Sequence, residues 1–192
     1  NKLIQLTGIS SLYPKHTVQI PTQKLASPVD LPDFPYKLPI LNRLFIDAMY
    51  LHGLERTLKD FSIANARETY FHFSFQAAVA RNRENIKKLL VTCSETIPHN
   101  HESIWGRKHF KQYVRKTADH FHCLTQKAKQ CLITEGVDPD KITVIPYGIE
   151  LNKFKSQITK TKTSNLNLLF VGRLEPQKGI YELMQAWKQL KK

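Results

Sequence analysis

The sequence predicts an α/β fold built on a parallel sheet, and three features carry that expectation. Short apolar runs at 89–93, 121–124 and 142–145 alternate with segments of helical period. Such alternation implies crossover connections, hence parallel strands, and near-continuous apolar runs imply a sheet covered on both faces. Finally, 41% hydrophobic and 10% aromatic content over 192 residues is enough for a real core.

The elements follow in order. Pro14, Pro21, Pro28, Pro32, Pro35 and Pro39 crowd residues 14–39. Proline fixes φ and removes a donor, so this stretch reads as a long irregular connection. From Leu41 the spacing of Leu44, Phe45, Ala48, Leu51 and Leu54 predicts one helical face. A short apolar run at 61–64 and a helix within 73–83 come next, then the buried strand at 89–93 and a polar loop at 94–102. Residues 108–117 read as helix and 121–124 as strand. Thr125 is placed to cap a helix over 126–135, which Gly136 closes in the left-handed region. A turn at 137–140 leads to the strand at 142–145. The polar, Thr- and Lys-rich stretch 153–165 is a linker, followed by a strand at 167–171. The last helix has Ile180, Leu183, Met184, Trp187 and Leu190 on one face. One strand with one helix cannot bury both its faces, so a second α/β domain is expected to begin near residue 165 and continue past Lys192. The start at Asn1 likewise reads as a cut.

Composition narrows the function. The net charge is +13, with basic clusters at 81–88, 107–115 and 153–162. Each cluster by itself reads as a solvated helix face. Together they suit nucleic acid, anionic lipid or a phosphorylated small molecule. No recognition helix, zinc knuckle or ribonucleoprotein motif accompanies the charge, which argues against nucleic acid. No run of eighteen apolar residues is present. Cys93, Cys123 and Cys131 are an odd number without disulfide spacing and suit reduced, cytoplasmic thiols.

The chemistry concentrates in residues 170–179, Phe-Val-Gly-Arg-Leu-Glu-Pro-Gln-Lys-Gly, between a strand and a helix. Ligands of open α/β sheets bind at the carboxyl ends of the strands. Gly172 and Gly179 let backbone come close to a ligand, and the helix N-terminus favours an anion. Arg173 supplies a planar fork and Lys178 a mobile point charge. A diphosphate fits this loop, although a merely basic solvated turn has the same composition.

Residues 170–187 (FVGRLEPQKGIYELMQAW) resemble the opening of the donor-binding domain in retaining family-four (group 1) glycosyltransferases of GT-B fold. Residues 142–154 (ITVIPYGIELNKF) resemble that family's segment before its interdomain hinge, and 118–125 (ADHFHCLT) resemble the strand leading to the last helices of its first domain. The resemblance implies a Rossmann-like acceptor-side domain over 1–150, a hinge over 151–165 and the start of a donor-binding domain over 166–192. It implies transfer of a sugar from a nucleoside-diphosphate sugar to a saccharide, lipid or other hydroxyl acceptor with retention, and no cofactor or metal. Arg173 and Lys178 match the family's diphosphate-binding pair, and Gly172 and Gly179 its loop glycines. Tyr147 stands where many relatives have Asn, with Gly148 kept. On the acceptor side, Ser94, followed by Glu95, stands where many relatives have His, so a histidine contact would have to come from His99 or His101. Glu68 follows the preceding strand and is a further candidate. The family's paired glutamates would lie beyond Lys192 and its glycine-rich first loop before Asn1. A cytoplasmic enzyme with peripheral contact to an anionic membrane is expected.

Three other readings remain open. His99 with His101, or His120 with His122 and Cys123, could ligate zinc, but no Cys-x-x-Cys pair supports them. A basic nucleic-acid-binding module would not be an enzyme. A sugar phosphorylase or nucleotide-sugar epimerase would share the fold.

Overall fold

The computed structural model describes residues 4–14, 18–154 and 168–190. It divides into two compact units, 1–148 and 149–192.

The first unit holds two parallel sheets. The smaller pairs β1 (Gly8–Ser10) with β2 (Thr22–Lys24), inside the stretch where prolines predict irregular chain. Most of that stretch is irregular, and Asp30 organises it by accepting from the Leu12, Tyr13 and Ser27 N–H groups at 3.1, 3.1 and 2.8 Å. Helix α1 (Lys37–Leu44) begins before Leu41 and includes Pro39 in its first turn, where a missing N–H costs nothing.

The helix expected to run from Leu41 to Leu54 breaks after Leu44. Asn42 Oδ1 accepts from Ala48 N–H at 2.9 Å, Ile46 takes a φ of 66°, and a new short helix, α2 (Leu54–Thr57), starts after Gly53. The cause is tertiary. Asp47 is buried against Arg107, its Oδ1 3.2 Å from Nη2, while its Oδ2 accepts from the His72 N–H at 2.8 Å. A positive φ is costly for a β-branched residue. Here it turns Asp47 inward to a cation and a helix start.

The larger sheet has the order β3 (Ile63–Arg67), β4 (Lys88–Cys93), β5 (His120–Cys123), β6 (Ile142–Val144), all parallel. Its crossovers are α3 (His72–Asn82), α4 (Arg107–Thr117) and α5 (Gln126–Thr134). Each crossover steps one strand in the same direction, and right-handed connections then place all three helices on one face. Packing agrees: Leu89, Val91, Cys93, Phe121, Cys123 and Ile142 share one core with Ala77, Ala78, Val114, Ala128 and Leu132. The expectation of a sheet covered on both faces is corrected here. The other face carries Asn65, Arg67, Thr92, His120, His122 and Thr143, all half-buried or exposed. Strands β4 and β5 alternate, with every second residue polar or only half-buried, which suits one covered face.

Local signals hold for α5. Thr125 Oγ1 accepts from Ala128 N–H at 3.1 Å, and Gly136 has φ 88°. All three cysteines are buried and unpaired.

The basic clusters are less free than their sequence suggests. Arg81 holds Asp119 through two bonds of 2.7 and 3.0 Å, and Lys88 adds a third at 3.0 Å. On α4, Arg107 and Lys111 are buried. Lys111 Nζ and Arg115 Nη1 converge on Glu135 at 2.5 and 2.8 Å. The α4 cluster is therefore partly an internal ion-pair network and not simply a solvated face.

In the second unit, α6 (Ile180–Leu190) forms as its apolar spacing predicts. The expected strand at 167–171 does not: residues 168–171 have no strand geometry, and 167 lies outside the described residues, as does 155–165 of the expected hinge. A strand needs a hydrogen-bonded neighbour, and no strand stands beside 168–171 among the described residues.

Candidate functional site

The first unit opens a cleft of about 290 Å³ at the carboxyl ends of β3 and β4, lined by Met49, Arg67, Glu68, Tyr70, Phe71, Phe73 and Ser94. Parallel sheets place ligand sites at this end, because the chain leaves each strand there for a loop and not for another hydrogen-bonded residue.

Two of the acceptor-side candidates meet in this cleft. Glu68 follows β3 with φ 55°, which turns its side chain across to β4. Its Oε1 accepts from Ser94 N–H at 2.8 Å and from Ser94 Oγ–H at 2.6 Å. Glu68 is only 3% exposed, so its carboxylate is spent on positioning Ser94. The other two go elsewhere. Glu95 Oε1 accepts from Thr96 and Ile97 N–H at 2.8 and 2.9 Å, and Oε2 accepts from Asn100 Nδ2 at 2.7 Å. Burial works to raise the Glu95 carboxyl, but these bonds outweigh it and hold it below the usual range. His99 faces α5: its N–H donates to Glu135 Oε1 at 2.8 Å, and Nδ1 sits 3.3 Å from Glu102.

His101, the other histidine considered, lies on the cleft side of the loop. Its ring packs on Tyr70 with centroids 4.4 Å apart, and its Nε2 is 3.9 Å from Glu95 Oε2. Burial and the Arg107 charge push the His101 pKa down, so the ring is neutral at pH 7. Tyr70 is pushed up to about 12 by burial, then by the charges of Glu68 and Glu95, and keeps its phenolic proton. The corner by Tyr70 thus offers a neutral imidazole and a phenol. Both can hydrogen-bond a hydroxyl without carrying charge at neutral pH.

Neither histidine-based zinc arrangement forms. His120 Nε2 lies 2.8 Å from Thr143 Oγ1, and His122 Nε2 donates to the Ile145 carbonyl at 2.8 Å. The two side chains share a face of β5, as their alternation predicts, while Cys123 is buried on the other. His99, Glu102 and Glu135 do converge, but Lys111 and Arg115 already balance the two carboxylates there.

The second unit carries the basic loop. Gly179 has φ 70° and joins the short turn Pro176–Lys178 to α6, so the left-handed region, and not only closeness to a ligand, requires glycine there. Gly172 has no positive φ; a Cβ would come 3.2 Å from the Phe170 ring. Arg173 Nη1 pairs with Glu175 Oε1 at 3.0 Å in the open. Glu175 is thus the partner of the guanidinium, a role its sequence does not signal. Lys178 is exposed at the end of the turn, just before the α6 N-terminus.

Residues 13–153 match the sequence pattern of Glycosyltransferase Family 4, well over half the chain and the whole of the larger sheet. The chain belongs to Glycosyltransferase Family 4. Over 88 residues it is 34% identical to the UDP-Gal:alpha-D-GlcNAc-diphosphoundecaprenol alpha-1,3-galactosyltransferase of Escherichia coli, covering 41% of this chain and 23% of that protein. The chain thus spans about a quarter of the length of the curated relative it matches. A crystal structure assigned as a UDP-N-acetylglucosamine 2-epimerase from Listeria monocytogenes superposes with a TM-score of 0.43 and 19% identity, covering 65% of this chain and 30% of that one. At that score nothing about this chain follows from the likeness.

For this family member, sequence reasoning missed Met49, Arg67, Phe71 and Phe73 as cleft residues, and Tyr70 as more than a neighbour of Glu68. A signal was available in the polar-aromatic run that follows β3 directly, since that position is where a parallel sheet builds sites. Met49 had none, because it reaches the cleft only through the break after α1.

Proposed function

We propose that the protein transfers a sugar from a nucleoside-diphosphate donor to a hydroxyl acceptor with retention, as a two-domain GT-B enzyme acting at the cytoplasmic side of a membrane. Residues 1–150 form its acceptor-side domain, 151–165 its hinge, and 166–192 begin its donor-binding domain. The observation that carries the reading is the cleft at the carboxyl ends of β3 and β4, inside the segment that matches the family.

In the first unit the acceptor hydroxyl is held by Tyr70 and His101, with Ser94 oriented by Glu68. In the second, Arg173, Lys178 and the Gly172 and Gly179 backbone hold the donor diphosphate. Negative charge grows on the leaving phosphate as the glycosidic bond breaks, and fixed cations favour that state over the ground state. No protein cofactor is called for. The activity named for the E. coli relative makes UDP-galactose and a diphospholipid-linked N-acetylglucosamine the first pair to try.

The test is transfer by the full-length protein that carries this chain, with NMR of the product anomer. Transfer with the donor's anomeric configuration kept supports the proposal. Inversion removes the retaining mechanism, and epimerisation or phosphorolysis without transfer removes the transferase reading.

A further inference from the structure

Lys111 and Glu135 are buried charges with no place in the cleft. Their side chains are 1% and 2% exposed. Lys111 lies on α4, and Glu135 follows the last turn of α5. Arg115 and Glu102 complete the cluster. Arg115 Nη1 meets Glu135 Oε2 at 2.8 Å and Glu102 Oε1 at 3.6 Å, and Lys111 Nζ lies 3.7 Å from Glu102 Oε1. Two cations thus balance two carboxylates. Taking such charges out of water is costly, and well-packed apolar side chains often serve stability as well or better. Stability alone does not account for the arrangement.

What apolar side chains could not supply is a hold on backbone. Glu135 Oε1 accepts from the His99 N–H at 2.8 Å, and Lys111 Nζ donates to the Asn100 carbonyl at 3.0 Å. The two grips fall on consecutive residues of a strained turn, in which His99 has φ 59° and His101 φ 65°. Left-handed backbone at residues other than glycine persists only where the surroundings fix it. From Asn100 the contacts run on to the cleft. Its Nδ2 donates to Glu95 Oε2 at 2.7 Å, and its Oδ1 accepts from the His101 N–H at 2.9 Å. The His101 ring then packs on Tyr70, with centroids 4.4 Å apart.

From this continuous line of contacts we infer that Lys111 and Glu135 are positioning residues for the cleft: they fix the His99–Asn100 backbone and thereby set the His101 ring on Tyr70. They touch no ligand themselves. The setting of the loop is decided by α4 and α5, which rest on the sheet, and not by the loop's own sequence. Loops that carry binding residues work when a rigid scaffold holds them in this way. The task of His101 in holding an acceptor rests on the proposed function, whereas the positioning of its ring does not.

The test removes the two charges in balance. In Lys111→Met with Glu135→Met, Arg115 still faces Glu102 and neither is left alone. The urea midpoint of this double variant should therefore return close to that of the parent, above either single variant. By NMR of this chain, the His99 amide should exchange about ten- to a hundredfold faster, measured against the Phe121 amide of β5. The ring-current shift that Tyr70 gives the His101 ring protons should be lost, as it is in Tyr70→Leu. If the double variant does not fold, Glu135→Gln, which keeps the shape and a neutral acceptor, should show the same changes at smaller size. On the proposed function, the full-length protein with both substitutions should have an acceptor KM raised about two- to tenfold, with kcat and donor KM unchanged. A merely structural cluster would shift His99 and Phe121 exchange together and leave the His101 signals in place. That result, or an unaltered His99 exchange rate, overturns the proposal. Loss of the His101 shift in a protein that transfers no sugar leaves the positioning standing and removes only the proposed function.

Discussion

Removing the Glu68 carboxylate should unfasten β4 from the turn after β3, and the loss can be worked from two bonds. Glu68 Oε1 accepts from the backbone and the hydroxyl of Ser94 at 2.8 and 2.6 Å. Hydrogen bonds to a charged partner contribute about 1.5–3 kcal/mol each. Glu68→Ala should therefore destabilise by about 3–6 kcal/mol. Glu68→Gln keeps a neutral acceptor in the same place, and neutral bonds are roughly half as strong. It should lose about 1.5–3 kcal/mol. The backbone adds a second, independent term. At φ 55° an L residue is strained by about 1–2 kcal/mol, and glycine is not. Glu68→Gly should thus be the milder of the two truncations, by about 1 kcal/mol. Urea unfolding followed by circular dichroism measures all three. Ser94→Ala, made in both backgrounds, closes the cycle: its cost should nearly vanish once Glu68 is alanine. If glutamine is as damaging as alanine, or the Ser94→Ala cost is the same in both backgrounds, then Glu68 is not holding Ser94 and its carboxylate has another role.

Three further outcomes are expected. Asp119 is held below the usual carboxylate range first by its bond from Arg81, against the opposing effect of burial, with the Leu89 N–H and Lys88 adding to it. A depressed carboxyl stabilises fully above its unfolded pKa of about 3.9 and loses that contribution as pH falls through its folded value. Asp119→Asn should therefore be less stable than the parent by about 2–3 kcal/mol at pH 7, a gap that narrows in acid; a pH-independent gap refutes the assignment. Gly106→Ala meets both a φ of 81° and the Ile46 side chain, whereas Gly136→Ala at φ 88° meets nothing within 4 Å. The first should cost about 2–4 kcal/mol and the second about 1–2 kcal/mol, and equal midpoint shifts in urea would contradict the contact. On the proposed function, Arg173→Ala and Lys178→Ala in the full-length protein that carries this chain should each lower transfer by about a hundred- to a thousand-fold. Glu175→Ala, which breaks only an exposed pair, should change stability by under about 1 kcal/mol and turnover little; near-normal turnover of both cation variants removes the donor-grip reading.

What the sequence by itself determined is local. The apolar runs located β4, β5 and β6, helical spacing located α3, α4 and α6, and Thr125 with Gly136 bounded α5, because each signal acts through neighbours within a turn or a strand. The basic loop at 170–179 and the position of Ser94 and Glu68 after their strands were legible for the same reason. Only tertiary structure decided the rest. Leu41 to Leu54 has helical spacing, yet the chain breaks at Ile46 because Asp47 finds Arg107 sixty residues away. His99 and His101 are two apart and equally polar, yet Glu135 draws one toward α5 and Tyr70 packs against the other beside the cleft. Lys111 and Arg115 look like surface charge until Glu135 meets them. A buried charge is stable only beside its counter-charge, and which residues become neighbours across such distances is settled when β3, β4 and β5 pair and bring their loops to one end of the sheet.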